Sequence, residues 1–389
     1  MAKTKVEIPQ SATELTPKYF TSAVGPKYGN GKVTAVETEV VGEGIGFMGE
    51  LHRCRLTWVD ASGDAPASVI AKLPSQHDKN RSLGEALQVY EREIRVYSEL
   101  REGFGLPMPE YIHSTMDPHP APWLEKVVIF LFEKLPIAAV GWLLTRLIKV
   151  SGKQRRRYIL IMEDIHDARP PSQVVGGTLE DALQGLEVLA RFHATNWMDQ
   201  AKIDSQPILW DVDRTPKVIQ ASYRRNRDSF MEQYGDVLGP GRVKRMDEVQ
   251  EKTPELCSRL VAEPWTLMHG DYRLDNLLFR PDGSLVVLDF QGIGKGRAGW
   301  DVAYFITTAL EPHHQAEEEQ MLRRYHEALV AAGVSNYSYE ALVTDCDLTK
   351  EVLAHRLVAG DDLLDTEVEG DDKALLAVLV ERVAGWVKV

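Results

Sequence analysis

The chain has 389 residues, enough to bury a substantial core divided between two lobes or domains. Its 44% hydrophobic and 26% charged content is that of a globular protein, and a net charge of −13 provides no basic stripe for a nucleic acid. Three widely spaced cysteines exclude a disulfide framework or zinc spacing, no apolar run reaches the ~20 residues of a membrane span, and the polar start MAKTKVEIPQSATEL lacks a signal-peptide core, so a cytoplasmic protein is expected.

Residues 1–30 read as an arm or cap on the first lobe, with a short helix over Thr13 to Ala23 begun by Ser11 or Thr13. Val33 to Val41 and Leu51 to Val59 alternate as strands. Between them Gly44, Gly46 and Gly49 form G-x-G-x-x-G. A strand follows this turn, whereas the dinucleotide version needs a helix, so the pattern fits a hairpin laid over phosphates or a plain glycine hairpin. SVIAKLP is a short strand with Lys72 near its end. Over Gly84 to Leu100, Leu87, Tyr90, Ile94, Tyr97 and Leu100 recur at helical spacing, with Glu93 at the edge of the stripe. A carboxylate there would face the lobe interior and meet Lys72; a surface lysine and a solvated glutamate are the plainer alternative.

GLPMPEYI is a Pro-punctuated loop leading into a strand. Residues 117–157 then form an unusual insert, strongly apolar from Val127 to Val150 but interrupted by Glu133, Lys134 and Pro136, with Arg155, Arg156 and Arg157 beyond. Three readings stand: a packed helix, a peripheral membrane contact through 127–150 with basic flanks, and a lid over a substrate. YILIMEDIHD is a strand ending in Met162, Glu163 and Asp164. Leu183, Leu186, Leu189, Phe192 and Trp197 mark an amphipathic helix, with His193 on its apolar face as a core histidine. In the helical region 201–260, Trp210, Tyr223, Phe230 and Tyr234 are candidates for a pocket wall or for plain core.

The most specific stretch is Thr266 to Gln291, TLMHGDYRLDNLLFRPDGSLVVLDFQ. His269, Asp271 and Asn276 make H-x-D-x-x-x-x-N in a polar loop, and Asp289-Phe290 follows across a Pro-Asp-Gly hairpin. This is the catalytic-loop and metal-loop spacing of kinases. An Asp there can take a hydroxyl proton; an Asn oxygen and a second carboxylate suit Mg²⁺, which prefers oxygen ligands. The third metal-loop position is Gln291 rather than glycine, and no A-P-E-like segment follows, so a small molecule is expected as acceptor rather than a peptide. Asp301 opens the next helix, either as an N-cap or as a brace for the loop.

HGDYRLDNLLF with LDFQ resembles the aminoglycoside phosphotransferase and choline kinase superfamily, and the E-I-x-x-Y grouping at Glu93, Ile94 and Tyr97 is similar to its ecdysteroid-kinase-like (CHK-like) branch. The resemblance implies an α+β, bilobal protein-kinase-like fold with a β-rich N-lobe and a mostly helical C-lobe. It divides the chain into a nucleotide-binding lobe at 1–164 and a catalytic, acceptor-binding lobe at 165–389. It implies a small-molecule kinase using ATP and Mg²⁺ on a hydroxylated acceptor, which the closest-looking branch and the apolar insert make a hydrophobic one. Asp271 would be the base and His269 its brace. Lys72, Glu93, Gly44, Gly46 and Gly49 would hold the phosphates, Glu163 and Asp164 would form the adenine hinge, and Asn276 and Asp289 would hold the metal. The alternative is a nucleotide-binding pseudokinase.

Overall fold

The computed structural model of the protein describes residues 7–41, 48–119, 122–151, 155–206, 209–211, 215–364 and 371–386. The chain divides into two units. The first takes Met1–Arg101, Met108–Pro120 and Leu147–Asp167; the second takes Glu102–Pro107, Ala121–Arg146 and Ala168–Val389.

In the first unit, α1 (Pro17–Ala23) begins later than Thr13 because Thr16 is the residue whose side chain accepts the Tyr19 N–H, with Pro17 supplying the fixed φ of a first helical position. Ala12–Glu14 is only a 3-10 turn. Strands β1 (Lys32–Val41), β2 (Gly49–Val59), β3 (Ser68–Pro74), β4 (Tyr111–Met116) and β5 (Tyr158–Glu163) form an antiparallel sheet ordered β1-β2-β3-β5-β4. Strand alternation sorts its faces. Val69, Ala71 and Leu73 join Cys54, Leu56, Phe20 and Val24 in a buried cluster, so the N-terminal arm covers this face. Lys72, between Ala71 and Leu73, points to the opposite face.

The expected single helix over Gly84 to Leu100 is split. Helix α2 (Asp78–Ala86) ends before Gln88, which has φ +55°; α3 (Val89–Arg95) follows and passes into a π-helical turn at Val96–Leu100. The apolar insert is two helices, α4 (Pro122–Lys134) and α5 (Ile137–Ser151), separated at Pro136. Phe132 and Val140 are buried, while Val127, Phe130 and Trp142 are exposed. The arginine run beyond is not a free basic flank. Arg155 pairs with Asp78, Arg156 with Glu91 at 2.8 Å, and Arg157 with Asp117 at 2.9 Å.

In the second unit, α6 (Leu179–Thr195) starts with a capping box of Thr178 and Asp181. Short α7 (Gln200–Ser205) and β6 (Trp210–Asp211) lead to α8 (Pro216–Leu260), two helical arms broken at Gly239, φ +74°, just before Pro240. Tyr223, Phe230 and Tyr234 on α8 belong to the core with Leu348, Val352, Val380 and Val383; the Trp210 side chain lies outside the described residues. Strands β7 (Thr266–Met268), β8 (Leu277–Phe279), β9 (Leu285–Val287) and β10 (Gly294–Gly296) frame the polar loops, β8 pairing β9 and β10 pairing β7. Helices α9 (Gly299–Ala309), α10 (Glu318–Ala331), α11 (Tyr339–Leu364) and α12 (Asp371–Trp386) complete the unit. Among the described residues no helix is long and apolar enough to cross a membrane.

Candidate active site

In the first unit Lys72 lies on the central strand β3, opposite Leu51 of β2 and Leu160 of β5. Its Nζ is 2.8 Å from a Glu93 carboxylate oxygen, and the two side chains are 12% and 4% exposed. A charge pair this sheltered depends on both partners, since losing one strands the other away from water. Gly49 lets the chain pass close over the lysine: a Cβ there would sit 3.0 Å from the Leu73 carbonyl oxygen and 3.5 Å from the Lys72 Cε. Gly44 and Gly46 lie outside the described residues.

Glu163 and Asp164 are both engaged inside this unit. Glu163 Oε2 accepts the Glu110 N–H at 3.0 Å. Asp164 Oδ2 accepts from Arg53 Nε at 2.7 Å and Ser68 Oγ at 2.8 Å, with its side chain 1% exposed. Beside them is a cleft of about 310 Å³ whose walls include Tyr28, Ser68, Glu110 and His166.

In the second unit β7 delivers the chain into His269-Gly270-Asp271. Asp301, in the first turn of α9, holds that loop by its backbone: Oδ2 accepts the His269 N–H at 2.6 Å and Oδ1 the Gly270 N–H at 2.9 Å. Asp301 is thus a brace, and Ala298 occupies the N-cap position. The fully buried His193 lies between Tyr325, at 2.6 Å from Nδ1, and Asp301, at 3.2 Å from Nε2. An ionised carboxylate can only accept, so Nε2 carries the proton and Nδ1 accepts from the phenol.

His269 is fully buried with both ring nitrogens committed. Nε2 donates to the Leu288 carbonyl at 3.0 Å, and Nδ1 accepts the Asp271 N–H at 3.3 Å. Leu288 N–H in turn donates to the Asn276 carbonyl at 2.8 Å. The residue just before Asp289 is therefore tied to the loop on both sides, and Asp289 itself adopts φ +62°, a region a non-glycine residue occupies only when its surroundings impose it.

Two residues that the spacing argument did not single out lie against Asp271. Tyr304, three residues along α9 from Asp301, donates its O–H to Asp271 Oδ1 at 2.6 Å. Arg273 Nε is 3.4 Å from Oδ2, and its Nη1 is 2.9 Å from Asp275. Burial opposes the Arg273 charge, but Asp271, Tyr304, Asp275 and Asp289 more than offset that and raise its pKa. Burial, together with the Asp271 charge, pushes the Tyr304 phenol far above its ordinary range, so it remains a donor. The i, i+3 spacing of Asp301 and Tyr304 on one helix face was the available signal for the tyrosine. Behind the loop, Gln173 accepts the Leu274 N–H at 2.9 Å and donates its own N–H to Asp275 at 3.0 Å.

The donor set suits a hard cation in part. Asn276 Nδ2 donates to the Asp271 carbonyl at 2.8 Å and approaches Oδ2 at 3.2 Å; both are acceptors, so the amide is oriented with its own oxygen left for a cation. Among the described residues no three His, Cys, Asp or Glu side chains form a metal cage. One carboxylate and one amide oxygen fit Mg²⁺, which takes its remaining ligands from phosphates and water.

The ecdysteroid kinase-like family profile matches residues 125–334, more than half of the chain, from the insert through the His269–Asn276 loop to just beyond α10. The chain belongs to the ecdysteroid kinase-like family. Solved structures similar to this family member share its fold. A choline kinase from Cryptosporidium parvum is 11% identical, with 90% of this chain and 88% of that one covered and a TM-score of 0.51. A type I macrolide 2′-phosphotransferase is 14% identical over 97% and 98%, with a TM-score of 0.50. A spectinomycin phosphotransferase, solved with ADP and spectinomycin, is 13% identical over 97% and 98%, also with a TM-score of 0.50. These relatives have the bilobal α+β fold of kinase-like phosphotransferases. No curated protein matches the chain.

Proposed function

We propose that this ecdysteroid kinase-like protein transfers the γ-phosphoryl group of ATP to a hydroxyl of a small molecule with a hydrophobic body. The observation that carries the reading is the setting of Asp271. Its carboxylate is 33% exposed, its loop is clamped by Asp301, and the Asn276 amide beside it is oriented with an oxygen to spare. The family name supports a hydroxylated, steroid-like acceptor. The three free, buried cysteines accord with a reducing cytoplasm.

In the proposed reaction Asp271 takes the acceptor hydroxyl proton as the new O–P bond forms. The bond from the γ-phosphorus to the β–γ bridging oxygen breaks, and ADP leaves. Lys72, fixed by Glu93, would hold the α- and β-phosphates, and the sequence pattern assigns Gly44, Gly46 and Gly49 to the same phosphates. Asn276 and Asp289 would hold Mg²⁺, which would supply positive charge to the phosphates when bound. His269 fixes the loop without exchanging protons, because both ring nitrogens are occupied. The Glu163 and Asp164 side chains are engaged elsewhere, so adenine recognition by this hinge uses main-chain groups. Catalysis then rests on positioning and electrostatics.

The test is ATP consumption with Mg²⁺ across aminoglycosides, amino alcohols, sterols and hydroxyacyl thioesters, with Asp271→Ala as control. A phosphorylated product that the variant does not make supports the reading. Tight ATP binding without transfer to any hydroxyl would favour a nucleotide-binding pseudokinase. Full turnover by the variant would remove Asp271 as base.

A further inference from the structure

We propose that Tyr304 is the positioning residue of the Asp271 carboxylate, a role that rests on the phosphotransfer reading. The contact between them, 2.6 Å from the phenol oxygen to Oδ1, is the shortest that Asp271 makes among the described residues. The other two side-chain donors approach Oδ2 at longer range, Asn276 at 3.2 Å and Arg273 at 3.4 Å. A carboxylate offers about four acceptor positions, so these three donors leave one for an acceptor hydroxyl. Among the described residues, the carboxylate without Tyr304 has two weaker donors, both on one oxygen, and can rotate about its terminal torsion.

The placement is tied to the backbone clamp. Asp301 and Tyr304 sit one helical turn apart on α9, so the helix that fixes the main chain at His269 and Gly270 also fixes the side chain of the next residue. Loop and base are therefore indexed to the same rigid element. The phenol suits this role because burial keeps it protonated: it donates to the carboxylate and does not compete for the acceptor proton. Tyr304 itself exchanges no proton in the reaction. A hydrogen bond to a carboxylate is stronger than one between neutral groups.

The test is a double-mutant cycle of Tyr304→Phe and Asp271→Asn, read in kcat, KM and thermal midpoint. Tyr304→Phe should lower kcat about tenfold while KM for ATP stays within about twofold, the signature of a group that serves the transition state. Asp271→Asn should lose roughly 10²–10⁴-fold, and adding Tyr304→Phe should lower the residual rate no further. The two thermal-midpoint drops should likewise be less than additive. Should Tyr304→Phe fail to fold, Tyr304→Leu, which also removes the O–H, takes its place in the cycle. Unchanged kcat, or losses that multiply, would overturn the role. A wild type that turns over no acceptor, with the thermal coupling intact, would remove the phosphotransfer reading and the positioning role with it. Turnover without coupling would overturn this inference alone.

Discussion

Gly270 and Gly292 stand back to back: a Cβ on Gly270 would collide with the Gly292 carbonyl oxygen, and Gly270 itself has φ +81°. A Cβ on Gly292 would come within 2.9 Å of the His269 carbonyl oxygen. The loop carrying Asp271 and the loop carrying Asp289 are thus pressed together main chain to main chain. The glycine at this close approach is residue 292, next to Gln291. Gly270→Ala should destabilise the second unit by about 1–3 kcal/mol from backbone strain alone, with the collision adding to it. Urea unfolding measures this, and an unchanged midpoint would refute the close approach.

The Lys72–Glu93 pair predicts a graded response. Lys72→Met removes the cation from a sheltered carboxylate, and breaking such a pair costs about 3–5 kcal/mol. Glu93→Gln keeps the shape and one polar contact. Both variants should weaken the thermal shift caused by Mg²⁺–ATP, the lysine variant more. Equal, undiminished shifts would separate this pair from nucleotide binding.

Asp289→Asn should reduce the Mg²⁺-dependent part of ATP binding while leaving the fold intact, because asparagine tolerates positive φ as well as aspartate does. Calorimetric titration with and without Mg²⁺ reads the difference. Full Mg²⁺ dependence in the variant would exclude Asp289 as a ligand.

Glu85 on α2 gives the first unit a pH dependence. Its side chain is 5% exposed, and burial raises its pKa from 4.5 to about 7, against the opposing hydrogen bond from Tyr158 and the charges of Arg81 and Arg156. Between those values the folded protein holds a proton that the unfolded chain releases, so stability falls as pH rises from about 4.5 to about 7 and is flat above. Glu85→Gln should match the wild type near pH 5 and melt higher than it near pH 8. Thermal midpoints across that range decide it, and parallel curves would contradict the shift.

Local pattern made much of this legible. The alternation of Val33 to Val41, the SVIAKLP strand and the spacing of His269, Asp271 and Asn276 are properties of short segments. So is the helical face that carries Glu93. What stayed hidden depends on distant partners or on one local dihedral. Gln88 splits an apparently continuous helix with one left-handed residue. The Arg155–Arg157 run looked like a basic flank until Asp78, Glu91 and Asp117 folded onto it. Tyr304 and Arg273 are ordinary residues in sequence and acquire meaning only from lying against Asp271.

Arg382 on α12 has a related reach. It is 1% exposed, and its guanidinium donates to Glu311 and to the carbonyls of Gln173, Val174 and Thr308, at 2.5 Å for Gln173. Gln173 is the residue that grips Leu274 and Asp275 in the loop that carries Asp271. Arg382→Met should leave the Gln173 and Val174 carbonyls without this donor, at about 1–3 kcal/mol for each unsatisfied group, while the Thr308 carbonyl still accepts from Gln173 Nε2. Synthesis proceeds at roughly 5–20 residues per second from the N-terminus, so the first unit can fold while this arginine is still unmade. On the ribosome, the loop bearing Asp271 has to wait for a side chain translated more than a hundred codons after it. A nascent chain stalled before that codon would carry every motif residue and still lack the support behind the loop that bears Asp271.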